Sequence, residues 1–252
     1  MLLSDFINAM ERIAPKETAL DYDNPGLIVG TKNKRISRVL VALDCTVGVA
    51  REAKAKGCQL VLTHHPLLFR AVKHITPEDP VTAPVFELIE NGVGMFAAHT
   101  NLDSAEGGVN TTLCRILGII NERPVPPENL CRAGELARPI SFSEFARTVE
   151  ERLKTKVRVS GPEREVRRVM VCGGSGGSEY ALAANERCEV LVTGECKHSE
   201  SIEANQAGVN VIAAGHYETE AIVLEPLIEM LRGMTEGVEY LLSEAGTPLR
   251  TI

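Results

Sequence analysis

The chain has no tryptophan, and only four tyrosines and six phenylalanines. Few side chains are therefore available for stacking on a nucleic-acid base. No apolar run approaches the roughly 18 residues that a membrane-spanning helix needs, so no membrane role is expected. The opening stretch, Met1-Leu2-Leu3-Ser4-Asp5-Phe6, has neither a basic leader nor a long apolar segment, and no secretion signal is expected from it. Seven cysteines, an odd number with no Cys-x-x-Cys pair, argue for reduced thiols and a cytoplasmic protein. Cys45, Cys58, Cys172 and Cys188 read as small buried hydrophobes rather than redox groups. Basic blocks are also missing, and the net charge is −7. Broad non-specific binding of nucleic acid is thereby disfavoured, although a local basic cleft stays open.

What is present is ordinary globular material. Hydrophobic residues make up 44% and charged residues 24% of 252 positions, enough for one large or two small domains. The stretch Leu60-Val61-Leu62-Thr63-His64-His65-Pro66 stands out. An apolar run rich in β-branched residues reads as a buried strand, and Pro66 stops it. At a strand end, where the backbone turns, both imidazoles can converge on one cleft, the place where α/β proteins put ligands. The pair reads either as metal ligands or as surface histidines fixed by a turn.

Around this stretch strands and helices alternate. Ser4 to Ile13 is expected as an amphipathic helix capped by Ser4 or Asp5. Arg38 to Asp44 reads as a buried strand, Thr46 to Lys56 as a helix closed by Gly57, and Val93 to Ala98 as a strand delivering His99-Thr100-Asn101-Leu102-Asp103. Residues 121–135, with Pro124, Pro126, Pro127 and Gly134, read as a linker. Ser141 and Glu144 match a capping box for a helix to Lys154. Then the pattern returns. Arg168 to Cys172 echoes Arg38 to Ala42, and Glu189-Val190-Leu191-Val192-Thr193 echoes Gln59 to Thr63 at the same spacing. Ala207 to Ala214 echoes Asn91 to Ala98. Both copies end in a His with a carboxylate four residues on: His99 and Asp103, His216 and Glu220. This is an internal repeat of an α/β unit. The expected fold is α/β, with two related domains, residues 1–121 and 122–252, a cleft between them, and a C-terminal segment able to pack back on the first.

The chemistry-bearing residues gather at the strand ends: His64, His65, His99 and Asp103 in the first half, Glu195, His198, His216 and Glu220 in the second. Five of the six histidines fall in this set. Mixed imidazole and carboxylate donors suit Zn, Mn, Fe or Co rather than calcium. Five or more donors suggest two metals about 3.5–4 Å apart, a pair that lowers the pKa of a water toward neutrality and supports hydrolysis. Glu220, with two oxygens, is the expected bridge. His99 reads as a ligand, a hydrogen-bond donor to a ligand, a proton shuttle or a core histidine. Cys172-Gly173-Gly174-Ser175-Gly176-Gly177-Ser178 is either a phosphate-approaching loop, with Arg70 or Lys73 as anion partners, or a tight turn.

These motifs, together with Asp23-Asn24-Pro25-Gly26-Leu27, Val29-Gly30, Thr193-Gly194-Glu195 and Gly215-His216-Tyr217-Glu218-Thr219-Glu220, resemble the NGG1-interacting-factor-three-like family, also called GTP cyclohydrolase I type 2 homologues. The likeness spans nearly the whole chain. It implies a dinuclear metal site on His64, His65, Asp103, His216 and Glu220, two α/β domains flanking it, and a ring-shaped homohexamer without the domain that some members insert mid-chain. Many members carry Asp where Glu195 stands and a second His where Ser199 stands, so Glu195 and His198 are read as cleft residues, not ligands.

The resemblance implies a hydrolase that opens the purine ring of GTP and releases formate, with two divalent ions per subunit; the reading of the residues themselves adds His99 as the catalytic proton shuttle. Other targets, a nucleotide or a phosphoester, fit the same donors, since fold alone does not select a reaction. A metal-carrying regulatory or adaptor protein is the non-enzymatic alternative. A small-molecule, nucleotide-like substrate is the favoured partner over nucleic acid, yet no guanine-reading pocket is legible in so few aromatics.

Overall fold

The computed structural model describes residues 1–249. Along the chain, α1 (Leu3–Ile13) is followed by β1 (Gly26–Val29), β2 (Arg38–Ala42), α2 (Val47–Ala55), β3 (Leu60–Thr63), α3 (Ala83–Glu90), β4 (Gly94–Ala97) and the one-turn α4 (Thr100–Ser104). Next come α5 (Val109–Leu117), β5 (Ile119–Pro124), β6 (Arg132–Ser141), α6 (Phe142–Leu153), β7 (Arg158–Ser160), β8 (Glu165–Cys172), α7 (Tyr180–Asn185), β9 (Val190–Thr193), α8 (His198–Gln206), β10 (Asn210–Ala213) and α9 (His216–Glu220). The chain finishes with α10 (Leu224–Arg232) and β11 (Glu239–Leu242). Among the described residues no helix is long and apolar enough to cross a membrane.

Two compact units result. The first comprises Met1–Ala105 and Leu224–Pro248, the second Glu106–Val223 with Leu249. The expected boundary at 121 falls inside β5, a strand of the second unit, and α5 just before it packs on β5, β6 and β8. The division therefore comes at Ala105, before α5.

The first sheet has the order β1-β4-β3-β2-β11, parallel from β4 through β11, with β1 antiparallel at one edge. β3 and β4 are buried throughout, because helices cover a parallel sheet and leave no polar face. Val49, Ala50, Ala53, Val85 and Leu88 from α2 and α3 pack on Leu40, Val61 and Met95. α1 buries Leu3, Phe6, Ala9, Met10 and Ile13 along one stripe. It starts at Leu3, so neither Ser4 nor Asp5 is its cap. Asp5 instead lies within the first turn, where its carboxylate accepts the Leu2 N–H at 3.3 Å. Thr46 does cap α2, its hydroxyl accepting from the Val49 amide at 3.2 Å.

The second sheet has the order β5-β6-β8-β9-β10-β7, with a parallel core of β8, β9 and β10. Its strands alternate in the expected period of two. Val169, Val171, Val190 and Val192 face α5 and α6, through Leu113, Leu117, Phe145 and Val149. Met170, Cys172 and Leu191 face α7 through Ala183.

Residues 121–135 are not a linker. They form most of the β5–β6 hairpin. β5 is an edge strand, where Pro124 removes no ladder bond that the sheet needs. Gly134 is required by close approach, since a Cβ there would lie 2.6 Å from Ile119 Cγ2 and 2.7 Å from the Ile120 carbonyl. Two of the four residues that read as linker punctuation, Pro124 and Gly134, thus lie within the sheet.

The repeat extends to hydrogen-bond register. Val39 pairs with Leu60 and Ala42 with Thr63, while Val169 pairs with Val190 and Cys172 with Thr193. Gln59 N donates to Arg38 O and Glu189 N to Arg168 O, each at 3.0 Å. The Gln59 side chain accepts from the amides of Ser37 and Arg38, and the Glu189 side chain from those of Arg167 and Arg168. All seven cysteines are unpaired with one another, and six are buried. Burial, with Asp44 adjacent, pushes the Cys45 thiol up to about 12.

Candidate metal centre

In the first unit, the carboxyl ends of β2, β3 and β4 meet at three imidazoles. The His64, His65 and His99 ring centroids lie 5.0, 5.1 and 5.5 Å apart, pair by pair. One ring nitrogen from each lies within 4.8 Å of the other two. Each Nδ1 is turned to an oxygen that only accepts: the Ala98 carbonyl at 2.9 Å for His64, Asp44 Oδ1 at 2.8 Å for His65 and Asp23 Oδ1 at 2.9 Å for His99. A neutral imidazole with its proton on Nδ1 carries its lone pair on Nε2. The His64 Nε2 faces Asp103 Oδ1 at 3.5 Å. Asp103 is in the first turn of α4, and its amide donates to His99 O at 3.0 Å. His64 is 1% exposed, so its donor nitrogen is removed from bulk water.

Asp23 anchors this half. Its carboxylate is enclosed and accepts from His99 Nδ1, from the Thr100 amide at 3.0 Å and from the Thr100 hydroxyl at 2.6 Å. Burial alone would raise its pKa. The hydrogen bonds from His99 and Thr100, with the His99 charge, outweigh burial and hold it at about 2.

In the second unit, α9 begins at His216 and brings Glu220 onto the same face one turn later. His216 Nε2 stands 3.1 Å from Glu220 Oε2, while Nδ1 faces Glu195 Oε1 at 3.4 Å. The Ser175 hydroxyl donates to Glu195 Oε2 at 2.8 Å. Glu220 is 4% exposed. Three glycines admit this carboxylate and the start of α9. At Gly174, whose φ is +63°, a Cβ would collide with the Glu220 carboxylate and lie 3.2 Å from His216 Nε2. At Gly194 it would lie 2.7 Å from His216 Cα and from Thr219 Oγ1. At Gly215 it would run into Glu218.

These residues could hold a metal ion. The potential donors are imidazole nitrogens oriented by oxygen partners, plus carboxylates, with no thiolate among them.

Comparison with known proteins places the chain. The sequence model of the Duf34/NIF3 (NGG1p interacting factor 3) family matches residues 1–248. The chain belongs to the DUF34/NIF3 family. A GTP cyclohydrolase 1 type 2 homolog of Clostridium perfringens is 35% identical over 262 residues, with 100% of both chains covered. The NIF3-like protein 1 of Drosophila melanogaster is 27% identical, covering 99% of this chain and 89% of its own. Among solved structures, a hypothetical protein of Staphylococcus aureus matches with a TM-score of 0.93 at 26% identity, covering 100% of this chain and 99% of its own.

In this DUF34/NIF3 chain the candidates read from sequence fall into the two groups just described: His64, His65, His99 and Asp103 in one unit, His216, Glu220 and Glu195 in the other. Glu195 proves to be the oxygen partner of His216. His198 is exposed at the start of α8, lining a cavity of about 490 Å³ with Glu195, Lys156 and Arg158. Sequence reasoning missed Asp44 and the role of Asp23. Asp44 had a signal, as the first polar residue beyond an apolar strand that runs beside the His-His strand. The glycine-rich loop spends three of its amides on the protein: Gly173 N on Asn110, Gly174 N on Thr219 and Gly176 N on Thr193, at 2.8, 3.0 and 3.0 Å. Of its two readings, the tight turn against the ligand residues is the one this geometry matches.

Proposed function

We propose that this NIF3-family chain is a divalent-metal-dependent hydrolase of the GTP cyclohydrolase I type 2 kind. In this reading His64, His65, Asp103, His216 and Glu220 together hold two ions, and His99 moves protons. The observation that carries it is the shared orientation of four imidazoles. His64, His65, His99 and His216 each turn Nδ1 to an oxygen acceptor. Histidines serving only to pack have no reason to direct the same nitrogen the same way four times. Metal-binding histidines do, because the oxygen partner fixes the tautomer and makes the other nitrogen a better donor.

The residues divide the work. Glu220 offers two oxygens from a nearly dry position, which suits a bridge. Asp103 supplies a charged donor beside His64. Asp23, held ionised, orients His99 and stabilises it when it takes up a proton, leaving Nε2 to give or receive that proton. When bound, two ions on such donors bring the pKa of a water near neutrality, the requirement for opening a purine ring or a phosphoester by hydrolysis. Mixed donors also favour chemistry over a structural role, since closed structural sites use four Cys or His. GTP is the first substrate to test, because relatives such as the Clostridium perfringens protein carry the cyclohydrolase name. A homohexamer is part of the same proposal, to be read by sedimentation.

The test is purified chain reconstituted with Mn or Zn, assayed for formate release from GTP and for phosphate release from a nucleotide panel, with elemental analysis alongside. Turnover and about two ions per chain, with most metal lost in Glu220→Ala, are the expected results. Absence of turnover with every metal moves the chain to the regulatory or adaptor class. Full occupancy in Glu220→Ala sinks the bridging role.

A further inference from the structure

We propose that Tyr22 and Phe69 form a stacking platform for a planar heteroaromatic ring, a purine-type base, at the edge of the His64, His65 and His99 cluster. The proposal takes from the hydrolase reading only that this cluster is where chemistry occurs.

The chain has ten phenylalanine and tyrosine residues, and two of them are spent on a surface beside the histidines. Tyr22 is 62% and Phe69 45% exposed. Their rings meet edge-on with centroids 6.0 Å apart, and Phe69 meets His99 edge-on at 6.1 Å and 87°. The pairs Tyr22–Phe69, His64–His65, His64–His99, His65–His99 and Phe69–His99 meet at interplanar angles from 47° to 87°. An edge-to-face contact does not use both faces of a ring, and offset stacking is a favourable geometry for an incoming one.

The platform is built, not incidental. Its two rings come from separate stretches, the turn before β1 and the 66–81 loop after the His-His pair. The Asn24 side chain ties them by donating to Leu68 O at 2.7 Å. Asp23, between Tyr22 and Asn24, is the clamp on His99, so the platform and the cluster share one anchor. Charge on the same loop selects the occupant. Arg70 and Lys73 are exposed and make no ion pair among the described residues. An aromatic surface beside unspent positive charge suits a base with an anionic tail rather than an apolar protein helix.

Binding of guanosine, GTP and inorganic tripolyphosphate is measured calorimetrically on the full chain, metal-loaded and chelator-stripped, for wild type, Tyr22→Ala, Phe69→Ala and Phe69→Tyr. Each alanine variant is expected to weaken guanosine and GTP roughly 5- to 100-fold while tripolyphosphate binding and metal content hold. Phe69→Tyr is expected to bind as wild type does. Alanine variants with unchanged guanosine affinity overturn the platform, as does a wild type that binds no guanosine. Equal loss of tripolyphosphate and guanosine overturns it too, by showing that the loop has merely been disrupted. The same loop exposes Val72 and Ile75, so sedimentation is run in parallel. A drop in oligomeric state in Phe69→Ala would assign the patch to contact between copies instead. Ring-dependent binding without turnover would leave the platform standing and remove the hydrolase reading.

Discussion

Replacing Asp23 by Asn removes a charge that the first unit encloses and surrounds with three donor groups from His99 and Thr100. The carboxylate titrates at about 2 against an ordinary value of 3.8. The difference is worth about 2 kcal/mol of folding stability by linkage. The sign follows from the depressed value. The contribution is complete above the unfolded pKa and is lost as pH falls through the folded one. About half of it is gone by roughly pH 3. Urea unfolding of wild type and Asp23→Asn, with chelator present so that cation binding does not enter, should therefore show a gap of about 2 kcal/mol near neutrality that narrows between roughly pH 5 and pH 3. A gap below about 0.5 kcal/mol near neutrality, or one that holds its size into acid, would refute the claim that Asp23 is an ionised anchor.

Three further outcomes follow from the geometry. Asp44→Asn leaves His65 in place but weakens its orientation, and should lower metal affinity roughly 10- to 100-fold by competition titration with a chromophoric chelator, with unfolding little changed. Gly174→Ala puts a methyl group into the Glu220 carboxylate at a left-handed backbone position, and should lose metal and about 1–3 kcal/mol of stability; a variant that keeps both would mean that the loop yields freely. Ser141→Ala removes the hydroxyl that accepts the Glu144 amide at 3.2 Å and should cost about 1 kcal/mol in thermal or urea unfolding, without touching metal content.

The parallel strands were legible because burial on both faces writes a continuous apolar run, and two such runs at one spacing expose a repeat. His64, His65, His99 and His216 were legible as candidates for the same reason, since polar residues just past buried strands stand out against them, and Asp103 and Glu220 by their spacing of four from a histidine. The β5–β6 hairpin was not. Pro124 and Gly134 carry the same letters in an edge strand as in a linker, and only the neighbouring chain, Ile119 and Ile120 against Gly134, tells the two apart. Ser4 and Asp5 were credible caps, but α1 starts at Leu3, and the Leu3 and Ser4 amides donate to the distant Lys34 and Lys32 carbonyls at 2.8 and 2.9 Å rather than to a capping side chain. The role of Asp23 could not be read, because it sits 76 positions from the histidine it holds, whereas Asp44 had a signal at its strand end that went unread. The glycine-rich loop was ambiguous for a different cause: glycines that let a phosphate approach and glycines that let a carboxylate approach look alike until the amide partners are known.

Leu249 aside, the second unit is one segment that interrupts the sequence of the first, and β11 arrives after it to pair with Arg38, Val39, Leu40 and Val41 of β2. During synthesis, then, β2 presents a bare sheet edge for as long as it takes to make about 200 further residues, while the segment Glu106–Val223 has emerged whole well before β11. The order of assembly is thereby inverted with respect to the order of the sequence. The part of the chain made first is finished last, and an apolar strand edge that invites pairing with a neighbour is closed only by the final strand. Truncation within β11 would leave the candidate metal-binding residues of both units in the sequence and still yield an aggregating protein.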